Sequence, residues 1–441
     1  MNSTNIRILK ELLDIQRSTD HSIFVYFDES NIRSVRALIL GPTDTCYSLG
    51  MFEFTMKFPK EYPTNSPAVL AITTNGGRTR FNPNIYASGN VCLSILGTWR
   101  GEAGEQWSSA QGIESVLLSV QSLMGPNPFE NEPGYEHTSN TKQQYVKEEK
   151  SYIDKIRHET IRITVLQRLE GYLNIRPSAV KAPTSETTSD RPEASSSDLA
   201  NEPFEDLCKR LFRYYYSAYK RTIESQKGNV EDGTKFAIMP FEFGGNKMEG
   251  KFMYGDLEKR LDAVRDALNA EAERWIIEGR EAVESGMGIA ASMQLQYEQI
   301  SRSFQAKYEG TVSIELIDDN PFAWRIVYIG RPMTSLDGGL FRVRMIMSPR
   351  FPDEQPRMVF ETPIYHINVT ADGVPFFRAA KAEDPKSHIE GLINLLESSD
   401  ISPDPRTWMN LDAATLYFGT PEQKREYKKS FRRAVQRSSE Y

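Results

Sequence analysis

The sequence predicts an α+β protein in which a four-stranded antiparallel meander with flanking helices occurs twice, with a helical region between the copies. Three observations lead there. Short β-branched and aromatic runs separated by turn residues fill 22–72. Gly41, Gly50, Phe52, Tyr62, Pro63 and Pro67 recur as Gly330, Gly339, Phe341, Phe351, Pro352 and Pro356, each 289 residues on and without a gap. That period is the size of a domain and so marks a duplication, not a solenoid. Between the copies, helical spacing of apolar residues dominates.

In order along the chain, Thr4 can cap a helix to about residue 17, with Ile6, Leu9 and Leu13 on one face, Ile8, Leu12 and Ile15 widening it, and Arg7 and Lys10 left for solvent or a partner. Four strands follow at Ile23 to Phe27, Val35 to Leu40, Met51 to Phe58 and Ala68 to Thr73. Residues 81 to 107 show no clear period. Ser108 or Ser109 then caps a helix burying Ile113, Val116, Leu117, Val120 and Leu123, and 146 to 175 reads as further helix. Residues 177–200 carry no aromatic and almost no large apolar side chain, so burial cannot offset chain entropy and a flexible linker is expected. Phe204 to Ile223 is a helix whose aromatic stripe is expected in a core, and Asp256 to about Phe304 is largely helical. The expected domains are 1–176, a helical region 201–300 and a second copy 301–441.

Composition narrows the function. A formal net charge of -7 argues against a nucleic-acid or anionic-membrane surface, and the basic run from Lys428 to Arg437 reads as a solvated helix face. Three cysteines, Cys46, Cys92 and Cys208, are too few and too scattered for a disulfide framework or a zinc site. A reducing compartment, cytoplasm or nucleus, is expected, with no signal peptide, no membrane span, no metal and no cofactor.

The chemistry lies in Arg80 to Gly97, RFNPNIYASGNVCLSILG. This segment resembles the active-site segment of ubiquitin-conjugating enzymes, where a His-Pro-Asn tripeptide precedes the acceptor cysteine. Here the tripeptide is Asn82-Pro83-Asn84, and Cys92 is the acceptor. Gly41-Pro42, Phe58-Pro59-Lys60-Glu61-Tyr62-Pro63, Trp107-Ser108-Ser109-Ala110 and Gly125-Pro126-Asn127-Pro128 extend the likeness over about residues 4 to 137. Within the family it is nearest the large "Z" class, which shares Asn-Pro-Asn, Leu-Gly-Thr-Trp and Asn-Glu-Pro-Gly.

The resemblance implies the ubiquitin-conjugating fold and a thioester relay. Ubiquitin or a ubiquitin-like modifier would pass from an activating enzyme, in an ATP-dependent pathway, to Cys92, then to a lysine of a protein substrate or to a ligase. A cysteine suits a relay because its thioester stays reactive to amines. No Lys, Arg or His lies within several residues of Cys92 to lower its pKa. Asn84 can turn its amide toward the oxyanion of aminolysis or onto the loop backbone. Asn82 replaces a histidine that braces the loop, which bears on loop packing.

By the same resemblance the lysine-orienting acid falls on Glu130, with Phe129 beside it where an acid is frequent; the other reading of Glu130 is a solvent-facing loop residue. Arg7 and Lys10 would meet the activating enzyme, and Thr64, Trp107, Ser108 and Ser109 occupy ligase-contact positions, of which Thr64 and Ser109 depart from the usual aromatic and proline.

In the second copy His366-Ile367-Asn368 stands for the tripeptide, and Pro375 or Phe376 for the cysteine. A retained fold without its chemistry is implied. The alternative is a non-catalytic scaffold of two variant domains that bind modifier or ligase. A papain-like pair of Cys92 and His137 lacks any matching motif.

Overall fold

The computed structural model describes residues 3–18, 20–101, 104–136, 145–175, 202–244 and 247–440. The expected linker and His137 lie outside them. The chain forms two compact units, Met1–Cys208 with Arg221–Asp262, and Lys209–Lys220 with Ala263–Tyr441. Residues 201–300 thus divide between the units. The reason is physical: amphipathic helices without a partner layer must bury their apolar faces against a sheet.

In the first unit α1 (Ser3–Arg17) buries Ile8, Leu12 and Ile15, one helical face. Strands β1 (Ile23–Phe27), β2 (Ser34–Leu40), β3 (Met51–Lys57) and β4 (Ala68–Ala71) form an antiparallel sheet in chain order. The pairs Val35↔Met56, Ala37↔Phe54 and Ile39↔Phe52 place those side chains in the core, shared with Val116, Leu117 and Val120 of helix α2 (Ile113–Ser122). Each fully buried side chain of this size contributes about 1.5–3 kcal/mol.

Helix α2 begins later than Ser108 or Ser109 would place it. Its N-cap is Gly112, and the Ile113 N–H donates to Glu11 Oε2 of α1 at 3.0 Å. The cap oxygen comes from another element, so no capping residue is needed in the local sequence.

The unbroken apolar run Ala37–Leu40 signals a strand covered on both faces. Leu38, Leu40 and Glu53 are buried on the side away from the first core. Beyond α3 (Val146–Glu159), a π-helical stretch Thr160–Gln167 and a short helix α4 (Arg168–Tyr172) cover that side. The Met51 N–H donates to Thr164 Oγ1 at 3.0 Å, and Arg168 Nη1 donates to Glu53 Oε2 at 2.7 Å.

Helix α5 (Glu205–Lys227) buries Phe212, Tyr215 and Tyr219, as its aromatic stripe predicts. After it, residues 234–244 and 247–253 form an irregular strap closed by Phe236 N–H to Gly250 O and Phe252 N–H to Thr234 O, both 2.9 Å. Its Met239, Phe241 and Met248 enter the same core as α1 and α2. Buried Lys155 of α3 clamps it, donating to both carboxylate oxygens of Glu242 at 2.6 Å and to Ala237 O at 3.0 Å.

The second unit takes α6 (Tyr254–Glu284) from Ala263 onward, then α7 (Gly288–Tyr308), β5 (Val312–Ile317), β6 (Asn320–Ile329), β7 (Leu340–Ile346) and β8 (Arg357–Phe360), again an antiparallel sheet in chain order. Helices α8 (Pro385–Glu397), α9 (Leu411–Phe418) and α10 (Pro421–Ser438) close it. On α10, Tyr427 and Val435 face inward while Lys428, Lys429, Arg432, Arg433 and Arg437 are exposed.

The duplication is visible atom by atom. Gly41 N–H donates to Gly50 O at 2.9 Å, and Gly330 N–H to Gly339 O at 2.8 Å. A Cβ on Gly41 would stand 1.8 Å from Tyr47 O, and one on Gly330 1.7 Å from Leu336 O, so neither position accepts a larger residue. Tyr62–Pro63 and Phe351–Pro352 are both cis.

Candidate active site

Between β4 and α2 the chain must fold a long stretch without ladder partners, and its polar side chains replace them. Asn82 is fully buried. Its Nδ2 donates to Leu123 O at 2.8 Å and Tyr47 Oη at 3.1 Å, and its Oδ1 accepts the Asn84 N–H at 2.8 Å. Asparagine therefore braces this loop with its own set of bonds. Gly89, at φ +92°, brings its carbonyl to the Ala71 N–H at 2.7 Å; a Cβ there would meet Ala71 O at 2.7 Å. Thr98 then pins the far side, its hydroxyl donating to Val91 O at 2.7 Å and accepting from the Leu93 N–H at 3.0 Å.

Cys92 sits between these braces, half-buried and free. Its N–H donates to Asn84 O at 2.8 Å, and its carbonyl accepts from Asn84 Nδ2 at 2.9 Å. Of the two orientations open to Asn84, the structure holds the one on the loop backbone, using one of the two amide hydrogens. Cys46 and Cys208 are buried, and burial pushes both thiols up to about 12. Neither is an available nucleophile.

Burial raises the Cys92 pKa also, but the Tyr86 hydroxyl and the Arg80 guanidinium pull it back down. Sequence reading found no cation near Cys92. The fold brings Arg80 in by stacking it over the Tyr86 ring, 4.6 Å from the centroid, with Glu132 paired to it at 3.1 Å. The only signal for Glu132 was its place in the Asn-Glu-Pro-Gly motif.

Glu130 lies on a 3-10 turn, Pro128–Asn131, half-buried, and accepts from Asn127 Nδ2 at 2.7 Å. Its neighbour Phe129 is a core residue, 5.4 Å from Phe241 by ring centroids.

The expected docking positions are mostly at the surface. Thr64, Ser108 and Ser109 are exposed, and Trp107 is half-buried with Nε1 donating to Pro63 O at 2.9 Å. Lys10 is exposed. Arg7 is not left over for solvent: it donates to Glu11 Oε1 at 2.7 Å and to Gln111 O at 2.8 Å. Helix α1 and the start of α2 are thereby tied together, which explains why the residue is half-buried.

The second copy repeats the loop five residues shorter. Asn368 N–H donates to His366 Nδ1 at 3.1 Å as Asn84 N–H does to Asn82, and Gly373, at φ +88°, receives the Phe360 N–H at 2.8 Å. The Phe376 N–H donates to Asn368 O at 2.8 Å, the bond that Cys92 makes to Asn84. Phe376, and not Pro375, therefore fills the cysteine slot. By the same alignment Ile364 and Thr370 stand where the first copy has Arg80 and Tyr86.

His366 is buried, and burial alone lowers its pKa to about 4. In the unfolded chain it titrates near about 6.5. Its contribution is complete above the unfolded value and is lost as pH falls from about 6.5 to 4, about 3 kcal/mol in all. Urea unfolding of the full chain should show the second unit weakening over that window. His366→Asn, the residue the first copy uses, should flatten the dependence; an unchanged pH slope would contradict this assignment.

Among the described residues, no cluster of three or more His, Cys, Asp or Glu could hold a metal ion, and no helix is long and apolar enough to cross a membrane.

Comparison with known proteins agrees with this geometry. The family model for ubiquitin-conjugating enzyme matches residues 7–160 and again 293–435. The chain belongs to the ubiquitin-conjugating enzyme family, and carries its domain twice.

Within the family its likeness is to the Z class. It is 44% identical to ubiquitin-conjugating enzyme E2 Z of Xenopus tropicalis over 277 residues, 63% of this chain and 76% of that one. It is 37% identical to E2 Z of Danio rerio over 263 residues, 60% of this chain and 68% of the other. Both matches are longer than the segment 7–160. A shorter match, 42% identical over 156 residues, is to the human dual E2 ubiquitin-conjugating enzyme/E3 ubiquitin-protein ligase BIRC6, covering 35% of this chain and 3% of that protein.

Proposed function

We propose that this chain accepts ubiquitin or a ubiquitin-like protein from an activating enzyme as a thioester on Cys92 and passes it to a lysine amine or a ligase. One observation carries the reading: of the three cysteines only Cys92 is not buried, and it occupies the acceptor slot of the family loop. In loading, the Cys92 thiolate attacks the thioester carbonyl and the activating enzyme's sulfur leaves as a thiolate. In discharge, a neutral lysine amine attacks the same carbonyl, the Cys92 sulfur leaves, and the surplus proton on nitrogen is lost.

Glu130, at the aligned position, orients the incoming lysine in this reading. Exposed Lys10 faces the activating enzyme, where a rim charge acts mainly on association rate. The direct test is incubation with activating enzyme, ATP and each candidate modifier. A thiol-sensitive adduct is expected with at least one, and none with any would end the proposal.

Asn84 separates the two half-reactions. Its second amide hydrogen is suited to the oxyanion of aminolysis, where loss of one such donor costs about 2.7–4 kcal/mol, a rate factor of about 10²–10³. Asn84→Ala should load within a few-fold of the parent but discharge to free lysine slower by about that factor. Equal losses in both steps would assign the side chain to holding Cys92 O and nothing more.

The second copy, with Phe376 in the slot and its ring packed edge-on against Tyr214 at 5.1 Å, works in this reading by binding and not by chemistry.

A further inference from the structure

Arg80 does something for which the sequence offered no role. Its side chain is 4% exposed, and its guanidinium lies over two rings, 4.6 Å from the centroid of Tyr86 and 5.9 Å from that of Phe241. Both are within the range of about 6 Å at which a cation is held by an aromatic face. Nη2 donates to Pro83 O at 2.5 Å and to Glu132 Oε2 at 3.1 Å, while Nε has no hydrogen-bond partner among the described residues.

A buried cation is costly unless paired; this one is paired with Glu132 and hydrogen-bonded to Pro83 in the loop that carries Cys92. Pro83 is the centre of the tripeptide. Tyr86, whose ring the guanidinium covers, is the residue whose hydroxyl counters the effect of burial on the Cys92 thiol, and Cys92 is itself bonded to Asn84, the residue after Pro83. The Phe241 ring comes from the strap, far later in the chain. That ring also packs on Phe129, Tyr135 and Tyr152, so its place is fixed by a cluster and not by Arg80 alone.

We propose that Arg80, held over the Tyr86 ring, within reach of the Phe241 ring and tied to Glu132 and to Pro83 O, is a positioning residue that holds the Tyr86 hydroxyl and its own positive charge against the Cys92 sulfur. The strap thereby reaches the nucleophile without touching it. Tyr86 and Arg80 are the titratable groups facing Cys92, and Glu132 faces both of them; Tyr152 feels Arg80 and Glu132 from behind. The consequence for the relay rests on the thioester reading: the same charge favours the thiolate that attacks in loading and the thiolate that leaves in discharge.

The test reads the thiol itself, by the rate of iodoacetamide alkylation of Cys92 in the full chain as a function of pH. Arg80→Met keeps the volume and removes the charge. If the Cys92 pKa rises by one unit, the thiolate fraction at neutral pH falls about tenfold. Intrinsic nucleophilicity rises with basicity by about threefold. The variant should then react about threefold slower near neutrality and about threefold faster at a pH where both thiols are ionised, so that the two profiles cross.

Superimposed profiles, or one scaled by the same factor at every pH, would overturn the proposal. Phe241→Leu, which keeps the charge and removes one ring, should shift the profile in the same direction by less. It decides the matter if Arg80→Met does not fold, and an unchanged profile there is again fatal. Crossing profiles in a protein that no activating enzyme charges would sink the relay reading and leave this one standing. Normal charging with superimposed profiles would do the reverse.

Discussion

Cys92→Ala should take up no modifier at all, and Cys92→Ser should take it up slowly as an ester that survives reducing agent. The expectation is absolute because nothing else in the chain can substitute. Cys46 and Cys208 are buried, with thiols pushed up to about 12, so neither presents a thiolate near neutral pH. The second copy supplies no replacement either. Adding Phe376→Cys to Cys92→Ala puts a sulfur in the equivalent slot, but with Ile364 and Thr370 in place of Arg80 and Tyr86. That double variant should remain unloaded. Single-turnover charging followed on non-reducing gels decides both points. An adduct on Cys92→Ala would move the acceptor elsewhere, and robust charging of the double variant would show that the slot suffices without its surroundings.

The second large effect is on stability. Lys155 and Glu242 are buried to 0% and 1% side-chain exposure. Burial pulls the lysine pKa down while Glu242 pulls it back. Lys155→Met leaves the Glu242 carboxylate with the Met239 N–H at 2.9 Å and no countercharge. Removing one partner of a buried pair costs about 3–5 kcal/mol, whereas replacing both with apolar residues is often neutral. The first unit should lose roughly 6–20 °C in melting temperature, and Lys155→Met with Glu242→Leu should recover most of it. A single-variant loss under about 1 kcal/mol would mean that water reaches the pair. Because Glu242 adjoins Phe241, the single variant should also loosen the ring beneath Arg80.

The elements that could be read from sequence were those with local causes. The runs Ile23 to Phe27 and Val35 to Leu40 became strands β1 and β2, since β-branched and aromatic side chains pack well on a pleated surface. Gly41 and Gly330 announced the duplication because no other residue fits against the facing carbonyl. What escaped had distant causes. Helix α2 was started too early because Glu11, on α1, caps it. Arg7 was left for solvent or a partner because Gln111, whose carbonyl it bonds, is distant in sequence. Cys92 and the tripeptide were legible as a motif, but Arg80, Tyr86 and Glu132 were not legible as a group, since a 52-residue separation carries no pattern. Residues 234–253 have no helical or strand period, so nothing in them foretold that Met239 and Phe241 finish the core around the active site.

That last arrangement sets an order of events on the ribosome. The loop bearing Cys92 leaves the exit tunnel long before Phe241 and Glu242 are made, and at about 5–20 residues per second the gap between α3 and the strap lasts roughly 5–20 s. Throughout that interval Phe129, Tyr135 and Tyr152 have no Phe241 to cover them, and Lys155 has no counterion. The nascent chain passes through a stage in which Cys92 exists but the ring that completes the aromatic cluster under its loop does not.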